Sequence, residues 1–182
     1  MKKLLFSLLV SLIIMPVVLS GCVKNPFETK TQIASDQLRH IIKSSYNIYY
    51  NKHKSFYNFF DQNAINDGIY PHSIVKNETA YNPWGGKYFI GNLGAFGISE
   101  GYFLFVYDVP TTSCIPLAAS IQKLKLFKGV SFISNVTYHA MTVPEIHKLC
   151  SMAHSKTIGL LFLIGVGKWV FNINLMKKLL YY

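Results

Sequence analysis

Once past residue 30, the chain carries apolar side chains at the spacing of a single helix face. Leu38, Ile41, Ile42, Ser45, Tyr49, Phe56, Phe59 and Phe60 fall mostly at steps of three, four or seven, which predicts one long helix over about 31–63 with an aromatic stripe turned toward a core. Lys43, Asn47, Lys52 and Lys54 lie largely off that stripe, and Thr29 or Thr31 is placed to cap the helix. Asp67-Gly68 and Pro71 break the pattern, and a polar connector runs from there to Pro83.

Beyond Gly85-Gly86 the period changes. Segments 87–90 and 101–109 are rich in Tyr, Phe and Val and are separated by glycine and serine turns, which reads as successive antiparallel strands. A helix is predicted over 113–126, a strand over 130–136, and a second short helix from Thr142, where Pro144 and Glu145 complete a capping box. The continuous apolar run 157–166 has the length and residue types of a buried strand. One long helix followed by alternating strands and short helices gives an α+β domain, with the helix packed on an antiparallel sheet.

The first 22 residues differ from all of this. Lys2 and Lys3 precede an apolar run over 4–19, and Leu19-Ser20-Gly21-Cys22 closes it with small residues, the form of an export signal. The run is short of the roughly 20 residues a spanning helix needs, and Pro16 interrupts its second half. Its end resembles the lipobox of bacterial lipoproteins, which implies cleavage before Cys22, lipidation of the Cys22 thiol and, with Val23 next, an outer-membrane destination. The expected organisation is a signal peptide over 1–21, a tether over 22–31, the α+β domain over 32–167 and a basic apolar tail over 168–182.

Cysteine use agrees with export. With Cys22 committed to lipid, Cys114 and Cys150 are the only thiols left, and an even pair in an oxidising compartment predicts a disulfide.

Composition narrows the function classes. Of 182 residues, 51% are hydrophobic and 15% aromatic against 14% charged, which excludes a disordered tail or a coiled coil. The net charge of +10 favours an anionic surface as partner. Arg39 is the one arginine, so the residue that reads phosphate with a two-pronged fork is nearly missing. There is no G-x-S-x-G elbow, P-loop or paired-carboxylate signature, so the chain reads as non-enzymatic, with no cofactor and no small-molecule substrate. His147, Cys150 and His154 share a helix face, but a zinc site would need His139 as a fourth ligand, and Cys150 has Cys114 as competitor. Asn77-Glu78-Thr79 and Asn135-Val136-Thr137 match glycosylation sequons that a bacterial-type leader makes coincidental.

Several of these pieces in order resemble the type IVb pilins, the pilins of thin conjugative and bundle-forming pili. The long helix is followed by Gly68-Ile69-Tyr70-Pro71, then Asn82-Pro83-Trp84-Gly85-Gly86 opening the sheet, then Val109-Pro110 just before Cys114. Cys150 then follows a Thr-x-Pro helix start. The resemblance covers roughly 31–165 and implies a pilin-like domain whose Cys114–Cys150 bridge staples the exposed carboxy-terminal region. Trp84 is expected to fill a hole between helix and sheet while Gly85 and Gly86 let the chain turn beside it. A pilin, however, keeps its apolar helix after cleavage, usually with a glutamate at the fifth mature position. Here the apolar stretch precedes Cys22, and Pro26 would be fifth. The expectation is therefore a lipid-anchored pilin-like protein of a type IV pilus, type II secretion or conjugation system, working by contacts with its proteins. The alternative is a minor pilin or adhesin at a filament tip that binds DNA or a host surface.

Overall fold

The computed structural model describes residues 26–94, 100–132, 135–137, 142–151 and 156–166. The segment expected to be a lipobox, with Cys22, the tail over 168–182, His139 and His154 lie outside these residues.

Helix α1 spans Pro26–Ser44, starting within the segment expected to be a tether. Pro26 occupies the first turn, where its missing N–H costs nothing. Thr31, Ala34, Ser35, Leu38, Ile41, Ile42, Ser45 and Tyr49 are all buried, so the predicted stripe does face the core. The helix ends earlier than expected. A turn of π-helix, Ser45–Tyr50, leads into one last helical turn, Asn51–His53. Lys54 then takes the left-handed conformation at φ 55°, and its N–H closes on the Tyr50 carbonyl at 2.7 Å, a left-handed helix stop. The chain folds back, so Phe56 and Phe59 reach the core from a turn rather than a helix, with ring centroids 4.9 and 5.0 Å from Tyr102. Phe60, assigned to the same stripe, is exposed. Helix α2 follows at Asp61–Asn66.

The connector carries more structure than its polarity suggested. Strands β1 (Val75–Lys76) and β2 (Thr79–Ala80) form a minimal hairpin around Asn77 and Glu78, both at positive φ, as a two-residue primed turn requires.

The main sheet has five antiparallel strands: β3 (Tyr88–Asn92), β4 (Gly101–Pro110), β5 (Phe127–Phe132), β6 (Asn135–Thr137) and β7 (Thr157–Gly165). Their spatial order is β3-β4-β7-β5-β6. The expected strand 130–136 is a hairpin, β5 and β6, with Val130 opposite Thr137. Alternation divides the sheet. Tyr88, Ile90, Tyr102, Leu104, Val106, Leu160, Phe162 and Ile164 belong to the main core with α1. Phe89, Phe103, Phe105, Tyr107 and Leu161 take the other face, where they are exposed or half-buried.

Helix α3 (Thr111–Ile121) and helix α4 (Val143–Ser151) complete the domain. The capping box at α4 forms as expected: the Thr142 N–H donates to Glu145 Oε2 at 2.6 Å, and the Glu145 N–H donates to Thr142 Oγ1 at 3.4 Å. Helix α3 lies against α1 through hydroxyls as well as carbons. Thr31 donates to Ser113 at 2.8 Å, and Ser120 donates to Ser35 at 3.0 Å. Small residues here, with Ala34 and Ala118 buried beside them, let the two helices approach closely.

Candidate interaction surfaces

Cys114 on α3 and Cys150 on α4 are joined by a disulfide, with Cα atoms 5.9 Å apart. Cys150 is therefore no thiolate ligand for a metal, and His147 beside it is exposed. The bridge ties two short helices that a 36-residue separation would otherwise leave to find each other. Lys123, Lys125, Lys148 and Lys156 are exposed in this half of the domain. The one described acid there beyond α3, Glu145, is engaged by its cap. The disulfide-stapled half of the domain thus carries exposed positive charge in excess of its described acids.

The Trp84-Gly85-Gly86 corner is organised by a residue the sequence reading quoted but did not single out. Asn82, buried, accepts through Oδ1 from the Trp84 and Gly86 N–H groups at 2.9 and 3.1 Å, and its amide donates to the Tyr107 carbonyl at 2.6 Å. An asparagine before proline is a common way to fold a turn back on its own side chain. Gly85 sits at φ +94°, and a Cβ on Gly86 would lie 2.2 Å from the Tyr107 oxygen, so both glycines are required for different reasons. Trp84 is half-buried and packs on the rim of the core. Its indole nitrogen is buried without a hydrogen-bond partner among the described residues.

Tyr107 also marks where β4 bends. The register against β7 shifts between Val106 and Val109, and Asp108 stands at φ 54°, which forms a bulge that re-aims the strand end toward α3.

Along the β3 edge, one side chain covers a backbone donor. Asp61 Oδ1 accepts from the Ile90 N–H at 3.1 Å and from the Tyr70 hydroxyl at 2.5 Å. A carboxylate seated on an edge donor is a device against strand pairing. At Ile90 the β3 edge is accordingly less open to the strand addition that an exposed sheet edge ordinarily permits. Burial, and then Asp61 nearby, pushes the Tyr70 hydroxyl far above its ordinary range, so it stays a proton donor. Tyr88 and Tyr102 are raised chiefly by burial, with a partly opposing bond to Ser45 at Tyr102.

The outer sheet face is aromatic. The Phe103 ring lies over Gly91 and the Phe105 ring over Gly159, where an added Cβ would come within 2.2 and 2.6 Å of them. The rings fill the gap each glycine leaves. Phe89 and Tyr107 flank them, 41% and 42% exposed.

Set against known proteins, residues 28–161 match the family model PilS, described as PilS N terminal. The crystal structure of a type IV b pilin from Salmonella typhi superposes with a TM-score of 0.54 at 18% identity, over 71% of this chain and 97% of that one. At that identity the likeness concerns the fold. No curated protein matches the sequence.

Proposed function

This chain belongs to the PilS N-terminal family, and from that premise we propose that it is a lipid-anchored, non-enzymatic pilin-like protein of the cell envelope that docks onto a pilus, secretion or conjugation apparatus. That it carries the type IVb pilin fold, a helix on an antiparallel sheet with a stapled carboxy-terminal region, follows from its geometry. The anchoring is our reading.

One observation supports it above others. Cys22 stands four positions before the first helical residue, Pro26, and the family match begins at residue 28, whereas the apolar run over 4–19 lies upstream of the lipobox. Cleavage before Cys22 removes that run, so the mature chain loses the greasy helix a pilin uses to pack into a filament. Among the described residues no helix is long and apolar enough to cross a membrane. The exposed positions of α1 include Lys30, Gln32 and Asp36, which suit water rather than a filament interior. Acyl chains on Cys22, each buried methylene contributing about 0.8 kcal/mol, would hold the domain at the membrane surface and raise its local concentration for an envelope partner. The basic stapled face and the aromatic outer sheet face are the surfaces offered for docking.

Inhibition of signal peptidase II tests the anchor. We expect unprocessed precursor to accumulate, a Cys22→Ala variant to do the same without drug, and the mature protein to carry the mass of its acyl chains. Normal processing of both would overturn lipidation and favour a minor pilin that keeps residues 4–19 in the membrane before assembly.

A further inference from the structure

The far end of α1 carries a surface that packing does not require. Between Asp36 and Asp61 the sequence contains no acidic residue, but it does contain Lys43, Lys52, His53 and Lys54, all exposed. Asp36 is paired with Arg39 at 3.4 Å, and Asp61 is turned to Tyr70 and Ile90; Asp67, half-buried, is the acid near enough to act on Tyr49 beneath the tip, where the four cations outnumber it. Aromatic residues alternate with these cations along the chain, and the His53 ring lies 4.4 Å from that of Tyr49. Tyr46 and Tyr50 are half-exposed and stacked, centroids 5.4 Å apart and planes 14° from parallel. Tyr50 continues to Phe56 at 5.1 Å. Next along the chain, Tyr57 is 57% exposed and Phe60 49%. Three of the tyrosines are each followed by an exposed amide: Asn47, Asn51 and Asn58.

The backbone beneath is irregular. The π-helical turn over Ser45–Tyr50 directs Ser45 and Tyr49 inward, Ser45 sharing a 2.6 Å hydrogen bond with Tyr102. Tyr46 and Tyr50 are left at the surface, and Lys54 is held left-handed. Such turns recur at functional sites.

We propose that this tip is a binding site for an acidic polysaccharide. A sugar ring has an apolar C–H face that rests on a tyrosine ring and a rim of hydroxyls. The planar amides of Asn47, Asn51 and Asn58 can both donate to and accept from that rim. Lysines supply point charges for carboxylates, while the one forked guanidinium, Arg39, lies a turn before Lys43 and is turned to Asp36. That combination separates a carboxylated glycan from a nucleic acid, which draws its affinity from many phosphate contacts. At about 1.5 Å per residue, Tyr50 lies roughly 35 Å along the helix axis from Pro26, well away from the amino-terminal end. The site stands whether or not Cys22 is lipidated, since it is formed by described residues alone.

The test is affinity electrophoresis of the full chain, purified in mild detergent, through gels containing polygalacturonate, neutral dextran or single-stranded poly(dT). We expect polygalacturonate to retard it and dextran to do so far less. Tyr46→Ala/Tyr50→Ala should weaken polygalacturonate binding about tenfold. Lys52→Gln/Lys54→Asn should weaken it comparably and flatten its salt dependence, with asparagine accepting the left-handed position. Ile33→Ala, exposed elsewhere on α1, should bind as wild type. Equal retardation by dextran, or full binding by both double variants, overturns the proposal. Preference for poly(dT), abolished by the same substitutions, overturns it in favour of nucleic acid. If the tyrosine variant loses its near-ultraviolet signal, the fully exposed lysine pair decides the matter alone.

Discussion

Replacing Asp61 by alanine should destabilise the domain well beyond an ordinary surface substitution. Two donors depend on one oxygen, Asp61 Oδ1: the hydroxyl of Tyr70, a residue 1% exposed, and the Ile90 N–H on the β3 edge. A hydrogen bond to a charged group contributes about 1.5 to 3 kcal/mol, and a backbone bond about 1. Water reaches the half-buried Asp61 position and recovers part of this, leaving a net loss of about 2 to 4 kcal/mol. With a urea m-value near 2 kcal/mol/M for a chain of this size, the midpoint should fall by about 1 to 2 M. Asp61→Asn keeps an acceptor at Oδ1 and should cost about 1 kcal/mol or less. In Asp61→Ala/Tyr70→Phe the hydroxyl is gone along with its acceptor, so the pair should cost less than the sum of the single changes. The assay is urea unfolding of the oxidised protein followed by circular dichroism, with size-exclusion chromatography to detect association through the reopened edge. An alanine variant that unfolds at the wild-type midpoint, or an asparagine variant as damaged as the alanine one, would refute this account of the edge.

Breaking the Cys114–Cys150 bridge as a double serine variant should cost about 4 kcal/mol from loop-closure entropy over its 36-residue separation; equal urea midpoints for oxidised protein and variant would contradict this. Gly86→Ala should destabilise more than Gly85→Ala, because its Cβ would meet the Tyr107 backbone oxygen at 2.2 Å while Gly85 has open space around it; thermal melts of the two variants would show the order. Alkali should unfold the domain steeply. Tyr70, Tyr88 and Tyr102 keep their protons in the folded state far above the ordinary value of 10.0, so their contribution is whole below about pH 10 and is lost as pH rises beyond it. Three such groups give a slope of about 4 kcal/mol per pH unit. Tyrosinate absorbance should therefore rise for these three together with loss of the helix signal, and ionisation with the fold intact would contradict their burial.

Strands β3, β4 and β7 were legible because each obeys a local rule, whereas the β1-β2 hairpin, the split of 130–136 into β5 and β6, and the spatial order of the sheet were not. The run 157–166 reads as a buried strand, and β7 is central, with β4 and β5 on either side and apolar residues on both faces. The capping box at Thr142 likewise depends only on residues three apart. The helix end at Lys54 was not legible, since the apolar spacing continues unbroken to Phe59. The rings of Phe56 and Phe59 seek the core by either route, and a lysine at positive φ has no signature of its own. The pairing of Asp61 with Ile90 spans 29 positions, and no local pattern encodes it. Asn82 was within reach, because asparagine before proline is a turn signal. What it clamps, the Tyr107 carbonyl 25 residues on, emerges only in three dimensions. The lysine and tyrosine content of the tip was plain in the sequence. The stripe logic placed Phe60 inside, and only the early end of the helix puts it outside.

The last strand among the described residues, β7, is the one that β4 and β5 both bond to, so the two halves of the sheet cannot be joined before residues 157–165 have emerged. Until then β4 and β5 share no partner, and the long-range contacts that join them come last. The sheet therefore has a single point of failure, because truncation just before residue 157 leaves β3-β4 and β5-β6 unjoined.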